Sequence, residues 1–98
     1  MAKVRIRPGA RADLLEVWSH IAEDSIANAD AFSDQMDEVI AMPGRMPKAG
    51  RLRDEFGTGI RSFGCGSYLI VYREDQLGVD ILRVLHGARD IETLFDQE

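Results

Sequence analysis

Arg83, His86 and Arg89 fall close together in the stretch RVLHGARDIETLF, residues 83–95, and form the densest set of groups in the chain able to do chemistry. A guanidinium is always charged and offers a rigid fork to phosphate. A histidine exchanges a proton near neutral pH and can act as general acid or base. With Arg61 and Arg73 on the β-rich runs upstream, the set contains the parts of an anion clamp and of metal-free RNA backbone cleavage. The plainer alternative is structural. Arg61, Arg83 and Arg89 have carboxylates to pair with in Glu55, Asp80, Asp90 and Glu92, and an exposed pair is worth only about 0–1 kcal/mol. His86 ends an apolar run, a common place for a structural histidine.

Other chemistry has little support. Cys65 is the single cysteine, so no internal disulfide forms, and with only His20 and His86 beside it no zinc pattern is present. Phosphate loops and nucleophile elbows are missing too. Neither a metal nor a cofactor is expected. Tyr68 and Tyr72 share a strand face and read as core or rim, and Trp18 as core.

Charge narrows the field further. From Ala12 to Gly44 there is no Lys or Arg, while Asp13, Glu16, Glu23, Asp24, Asp30, Asp34, Asp37 and Glu38 supply carboxylates. Basic residues flank this stretch: Lys3, Arg5, Arg7 and Arg11 before it, Arg45, Lys48, Arg51 and Arg53 after it. Nucleic-acid affinity rests largely on Lys and Arg neutralising phosphates, so any such contact avoids residues 12–44. That segment reads as a solvated acidic face. Absence of a long apolar run and of an apolar leader core points to a cytoplasmic protein without a membrane span.

The elements that must position these groups follow from periodicity. Val4–Ile6 alternates as a short strand, and Pro8 suits the first turn of a helix. Leu14, Leu15, Trp18, Ile21 and Ala22 make one apolar helical stripe, with Asp13 placed in the first turn where it favours the dipole. A second helix is expected over Ile26–Met42, with Ala29, Phe32, Met36, Val39 and Ile40 inward and Pro43-Gly44 stopping it. Residues 43–59 read as loop. Strands are expected at Ile60–Phe63 and Ser67–Glu74, split by a Gly64-Cys65-Gly66 hairpin, and at Val79–His86 after a turn at 75–78. The last strand is apolar on both faces and should be central. Gly87 breaks it, and ARDIETLF should form a short final helix. The expectation is one domain over residues 1–98: a two-layer α+β fold with an N-terminal strand, an antiparallel helical hairpin, a three-stranded antiparallel meander and a C-terminal helix.

At this point three stretches carry a resemblance. RPGARADLLEVWSHIAEDS, GRLRDEFGTGIRSF and GIRSFGCGSYLIVYRE with VDILRVLHGARDIETLF resemble the ParE branch of the RelE/ParE toxins of type II toxin–antitoxin systems, the plasmid-stabilisation type, over essentially the whole chain. The resemblance implies a toxin that inhibits DNA gyrase by protein–protein binding and is not itself a hydrolase. It implies neutralisation by a ParD-like dimeric DNA-binding antitoxin, which lays an amphipathic segment into a groove, forms a hetero-oligomer and alone contacts operator DNA. Candidate antitoxin contacts are Leu14, Trp18, Ile21, Phe32 and Met36. Candidate target contacts are Arg61, Arg73, Arg83, His86 and Arg89. The runner-up is a ribosome-dependent messenger-RNA endonuclease of the RelE type, for which Arg61, Arg83 and His86 would be catalytic. Two lysines and a net charge of −5 weigh against it, because ribosome-bound members grip RNA with many cations.

Overall fold

The computed structural model describes residues 3–87 and 90. Its elements are β1 (Lys3–Ile6), α1 (Pro8–Ala22), α2 (Ile26–Arg45), β2 (Arg51–Leu52), a 3-10 turn (Asp54–Phe56), β3 (Ile60–Cys65), β4 (Tyr68–Asp75) and β5 (Gly78–His86). The expected C-terminal helix lies outside the described residues. The strands form one five-stranded sheet in the order β1-β5-β4-β3-β2. β1 runs parallel to β5 and the remaining pairs are antiparallel.

The helical hairpin carries the chain from β1 across to the far edge strand β2, and β3 and β4 bring it back, so the long connection that a parallel β1–β5 pair requires is met. Pro8 opens α1 at a position where its missing N–H has no partner to lose. Ser25 starts α2, its hydroxyl accepting the Asn28 N–H at 3.1 Å. Hydrophobic alternation then divides the sheet. Ile70, Tyr72, Val79, Ile81 and Val84 join Ala10, Met36 and Ile40 beneath the helices. Ile60, Leu69, Val71 and Leu85 form a second cluster with Phe56 and Leu82. The apolar residues on both faces of β5 therefore feed two cores, as its sequence requires.

Several expected boundaries move. α2 runs through Pro43 and Gly44 to Arg45, and Met46 closes it with an N–H to the Met42 carbonyl at 2.9 Å. A proline so near a helix end removes one hydrogen bond at Val39, and burial of Pro43 offsets that loss. β3 continues through Cys65, so the hairpin is the two residues Gly66-Ser67, with Gly66 at φ +60° supplying the left-handed conformation. Residues 43–59 are not all loop, because Arg51 and Leu52 pair with Ser62 and Arg61 as an edge strand too short to show periodicity. Leu15, assigned to the inner stripe, is 65% exposed, because α1 turns Ala10, Leu14 and Val17 toward the sheet instead. Gly78, at φ +149°, lets β1 approach closely. A β-carbon there would lie 2.0 Å from the Lys3 carbonyl oxygen.

Candidate functional site

Arg83 sits just beyond a β-bulge in β5. Val71 pairs with Arg83 and Tyr72 with Ile81, leaving Leu82 as the extra residue. β1 pairs no further than Ile81, and past that point the first turns of α1 lie against the β5 edge. There Asp13 accepts Arg83 Nε at 2.7 Å, Arg83 Nη2 at 3.0 Å and the Val84 backbone N–H at 2.9 Å. One carboxylate therefore satisfies a guanidinium fork and an open-edge amide together. The same bond and charge hold the Arg83 pKa above its ordinary value, against the opposing effect of burial. Asp13 was expected to serve the dipole in the first turn of α1. Its position is the sixth residue of that helix, and its partners lie 70 and 71 residues away. Arg83 forms its ion pair with this residue, and Asp90, one of the carboxylates proposed for it from the sequence, adds a smaller charge attraction.

Arg61 is engaged elsewhere. Its Nη1 donates to the Gly50 carbonyl at 2.8 Å and the Lys48 carbonyl at 3.3 Å, holding the loop between α2 and β2. Buried Tyr72, its neighbour across β3–β4, takes the Gly50 N–H and donates to the Pro47 carbonyl, each at 2.8 Å. Burial raises the Tyr72 pKa above the ordinary phenol value, so the hydroxyl stays protonated for this role. Arg61 and Arg83 are separated by β4 and reach toward different elements, so their forks do not converge. Arg73 is exposed and makes no ion pair among the described residues. Asp80, opposite it on β5, is bound by Arg5 Nε at 2.6 Å. His86 is half-buried; its backbone N–H donates to Asp90 at 2.7 Å, and its ring meets Tyr68 edge-on at 5.7 Å. Tyr68 in turn meets Phe32 at 5.5 Å, so the histidine continues an aromatic row. Arg89 lies outside the described residues.

A cleft of about 420 Å³ opens between α1 and the β4–β5 sheet. Val17, Tyr68 and Val84 give it apolar area, and Asp13, Glu16, Glu23 and Asp90 surround Arg83 and His20 with carboxylates. A phosphate entering here would meet more negative than positive charge. Among the described residues no group of three His, Cys, Asp or Glu is placed to hold a metal ion, and no helix is long and apolar enough to cross a membrane. The helix residues named as groove candidates separate by depth. Met36 is 2% exposed and belongs to the core, which agrees with its place on the inner stripe of α2 and speaks against it as an antitoxin contact. Leu14 and Phe32 pack half-buried against that core. Trp18 and Ile21 are also half-buried, and Trp18 Nε1 donates to Asp30 at 3.3 Å. Sequence reasoning missed Asp13 as an acceptor and Tyr72 as a loop anchor, since neither has a local sequence signal.

Over residues 4–91 the chain matches the family described as the ParE toxin of the type II toxin–antitoxin system parDE. It is 28% identical over 89 residues to Toxin ParE1 of Caulobacter vibrioides, covering 90% of this chain and 92% of that protein. Toxin ParE3 of the same organism is also 28% identical over 89 residues, with 90% and 88% covered. A solved chain of the chromosomal ParDE TA system from P. aeruginosa superimposes with a TM-score of 0.75. It is 18% identical and covers 88% of this chain and 96% of its own, which shows a shared fold.

Proposed function

This chain belongs to the ParE toxins of type II toxin–antitoxin systems, and on that premise we propose that it arrests growth by binding DNA gyrase and is neutralised by a ParD-like antitoxin. The observation that carries the non-enzymatic reading is the engagement of the arginines. Arg83 is clamped by Asp13, and Arg61 by the Lys48 and Gly50 carbonyls. A phosphodiester would have to displace the Asp13 clamp on Arg83 inside a cleft where carboxylates outnumber the guanidinium, and Arg61, engaged beyond β4, does not reach that cleft. A protein surface makes no such demand. For the antitoxin, the half-buried Leu14, Trp18, Ile21 and Phe32 on the helical layer offer apolar area to an amphipathic segment. The complex would contact operator DNA through the antitoxin.

Purified protein incubated with gyrase and supercoiled plasmid tests the target. Accumulation of cleaved DNA that is resealed on adding antitoxin is the expected result. Failure to inhibit gyrase in any way at micromolar protein of intact fold overturns the reading. Cuts at the ribosomal A site, abolished by Arg83→Ala or His86→Ala, would establish the endonuclease instead.

A further inference from the structure

We propose that the exposed corner made by the α2–β2 loop and the β2 edge docks on the toxin's protein target, and that it fits an acidic face with an apolar hollow. This rests on the reading above that the target is gyrase. Strongly exposed large apolar side chains are few among the described residues. Two of them, Met46 at 59% and Leu52 at 50%, lie within this corner. Beside them in the chain lie the exposed cations Arg45, Lys48 and Arg51, none of which makes an ion pair among the described residues. Arg5 and Arg83 by contrast are neutralised internally, by Asp75 and Asp80 and by Asp13, while the other exposed arginines without an ion pair among the described residues, Arg7, Arg11 and Arg73, are not neighbours of Met46 or Leu52 in the chain. An acidic protein that leaves positive charge unpaired beside exposed methionine and leucine presents the mixture found at protein interfaces, arginine and apolar anchors together.

The corner is also preorganised. The Tyr72 hydroxyl bridges Gly50 and Pro47 and Arg61 holds the Lys48 and Gly50 carbonyls, so the loop is fixed on the sheet before a partner arrives. Gly50 packs so closely that a β-carbon would lie 2.4 Å from the Tyr72 oxygen. Ordering such a surface on binding costs little. Charge selects the kind of partner. A second copy would bring cation against cation across a twofold axis, and the two-residue β2 is too short to template strand pairing. A nucleic-acid backbone would satisfy the cations and leave Met46 and Leu52 without apolar contact. An acidic protein face satisfies both.

The test uses the full chain against gyrase holoenzyme, with binding and plasmid cleavage read together over a range of salt. Lys48→Glu combined with Arg51→Glu, and separately Leu52→Asp, are surface changes whose folding is checked by thermal melting. Each is expected to weaken gyrase binding and cleavage about tenfold or more, while Asp34→Lys on α2 leaves both within about twofold. Gyrase poisoning at wild-type strength by both corner variants, folded, overturns the inference and leaves the gyrase reading intact. If the wild-type chain does not engage gyrase, that reading fails, and the same variants scored for growth arrest decide the surface: full arrest by both overturns it. A fluorescent DNA duplex without gyrase provides the remaining arm. Binding of that duplex by wild type and its loss in Lys48→Glu/Arg51→Glu, with Leu52→Asp unaffected, would assign the corner to nucleic acid and overturn the protein partner.

Discussion

Asp13 on α1 and Arg83 on β5 form a two-pronged ion pair, at 2.7 and 3.0 Å, whose carboxylate also takes the Val84 N–H at 2.9 Å. The two partners are unequal. Arg83 keeps 49% of its side chain in solvent, Asp13 only 13%. Replacing Arg83 with Ala removes a largely exposed charge and is expected to cost about 1 kcal/mol or less. Replacing Asp13 with Ala also orphans a part-buried amide at the sheet edge, a loss of about 1–3 kcal/mol. In a domain of this size each kcal/mol lowers Tm by about 4–8 °C. Thermal melting of the two variants should therefore rank Asp13→Ala below Arg83→Ala, with Asp13→Asn between them because it keeps an oxygen for Val84. Equal melting of all three would show that the edge amide finds water instead.

Tyr72 and Gly50 lock the α2–β2 loop. Tyr72→Phe preserves the ring, including its edge contact with Phe63 at 5.8 Å, and removes one hydroxyl with two partners. The expected cost is about 1–3 kcal/mol in urea unfolding, accompanied by faster amide exchange at Gly50. Gly50→Ala is expected to cost more, since the new methyl overlaps the hydroxyl and its ring carbons and the loop must lift away. Combining the two changes should cost less than the sum, because loss of the Tyr72 hydroxyl vacates space the alanine methyl needs. Strict additivity would break the link between the two residues.

Acid stability should register the Arg5–Asp75 contact. The hydrogen bond from Arg5, with those from the Leu77 and Gly78 amides, holds the Asp75 carboxyl below the usual carboxylate range. A carboxylate depressed in the folded state favours folding while it is ionised in both states. Its contribution is therefore complete above the unfolded value near pH 4 and is lost as pH falls through the lower folded value. Urea midpoints should stay level for this group from neutrality to about pH 5 and decline below about pH 4. Asp75→Asn should start lower and show a shallower acid decline; an identical acid limb in both proteins would remove Asp75 from the account.

The order of elements was legible in the sequence because each has its own period or breaker: the alternating runs of β4 and β5, the apolar stripe of α2, Pro8 at the start of α1. β2 was not, since two residues carry no period. The run of α2 past Pro43 was hidden because a proline's cost depends on what its ring buries, a tertiary fact. The site was legible in its residue types and not in its partners. Arg83 was read as an anion clamp or as a partner of Glu55, Asp80, Asp90 or Glu92, and the carboxylate that takes its fork is 70 residues earlier on another element. Arg61 likewise pairs with backbone carbonyls, which no side-chain pattern announces.

The helices pose the same problem in a form that mutation can resolve. Periodicity placed Met36 and Trp18 on the inner stripes of their helices, and the resemblance to ParE toxins made both candidates for an antitoxin groove. Depth separates them: Met36 is 2% exposed beneath Ile40 and Ala10, whereas Trp18 is half-buried with its indole N–H reaching Asp30. Met36→Ala should behave as a core truncation and cost about 2–5 kcal/mol, with antitoxin affinity unchanged for the fraction that remains folded. Trp18→Ala should do the reverse. It gives up less packing in the free toxin, and it deletes an aromatic anchor of the kind that dominates interfaces, so antitoxin affinity should fall about thirtyfold or more. Melting curves and antitoxin titration on the same preparations would show it. If Trp18→Ala unfolds the toxin as severely as Met36→Ala while the folded fraction binds normally, the groove lies elsewhere on the helical layer, and Leu14 and Ile21 become the positions to change next.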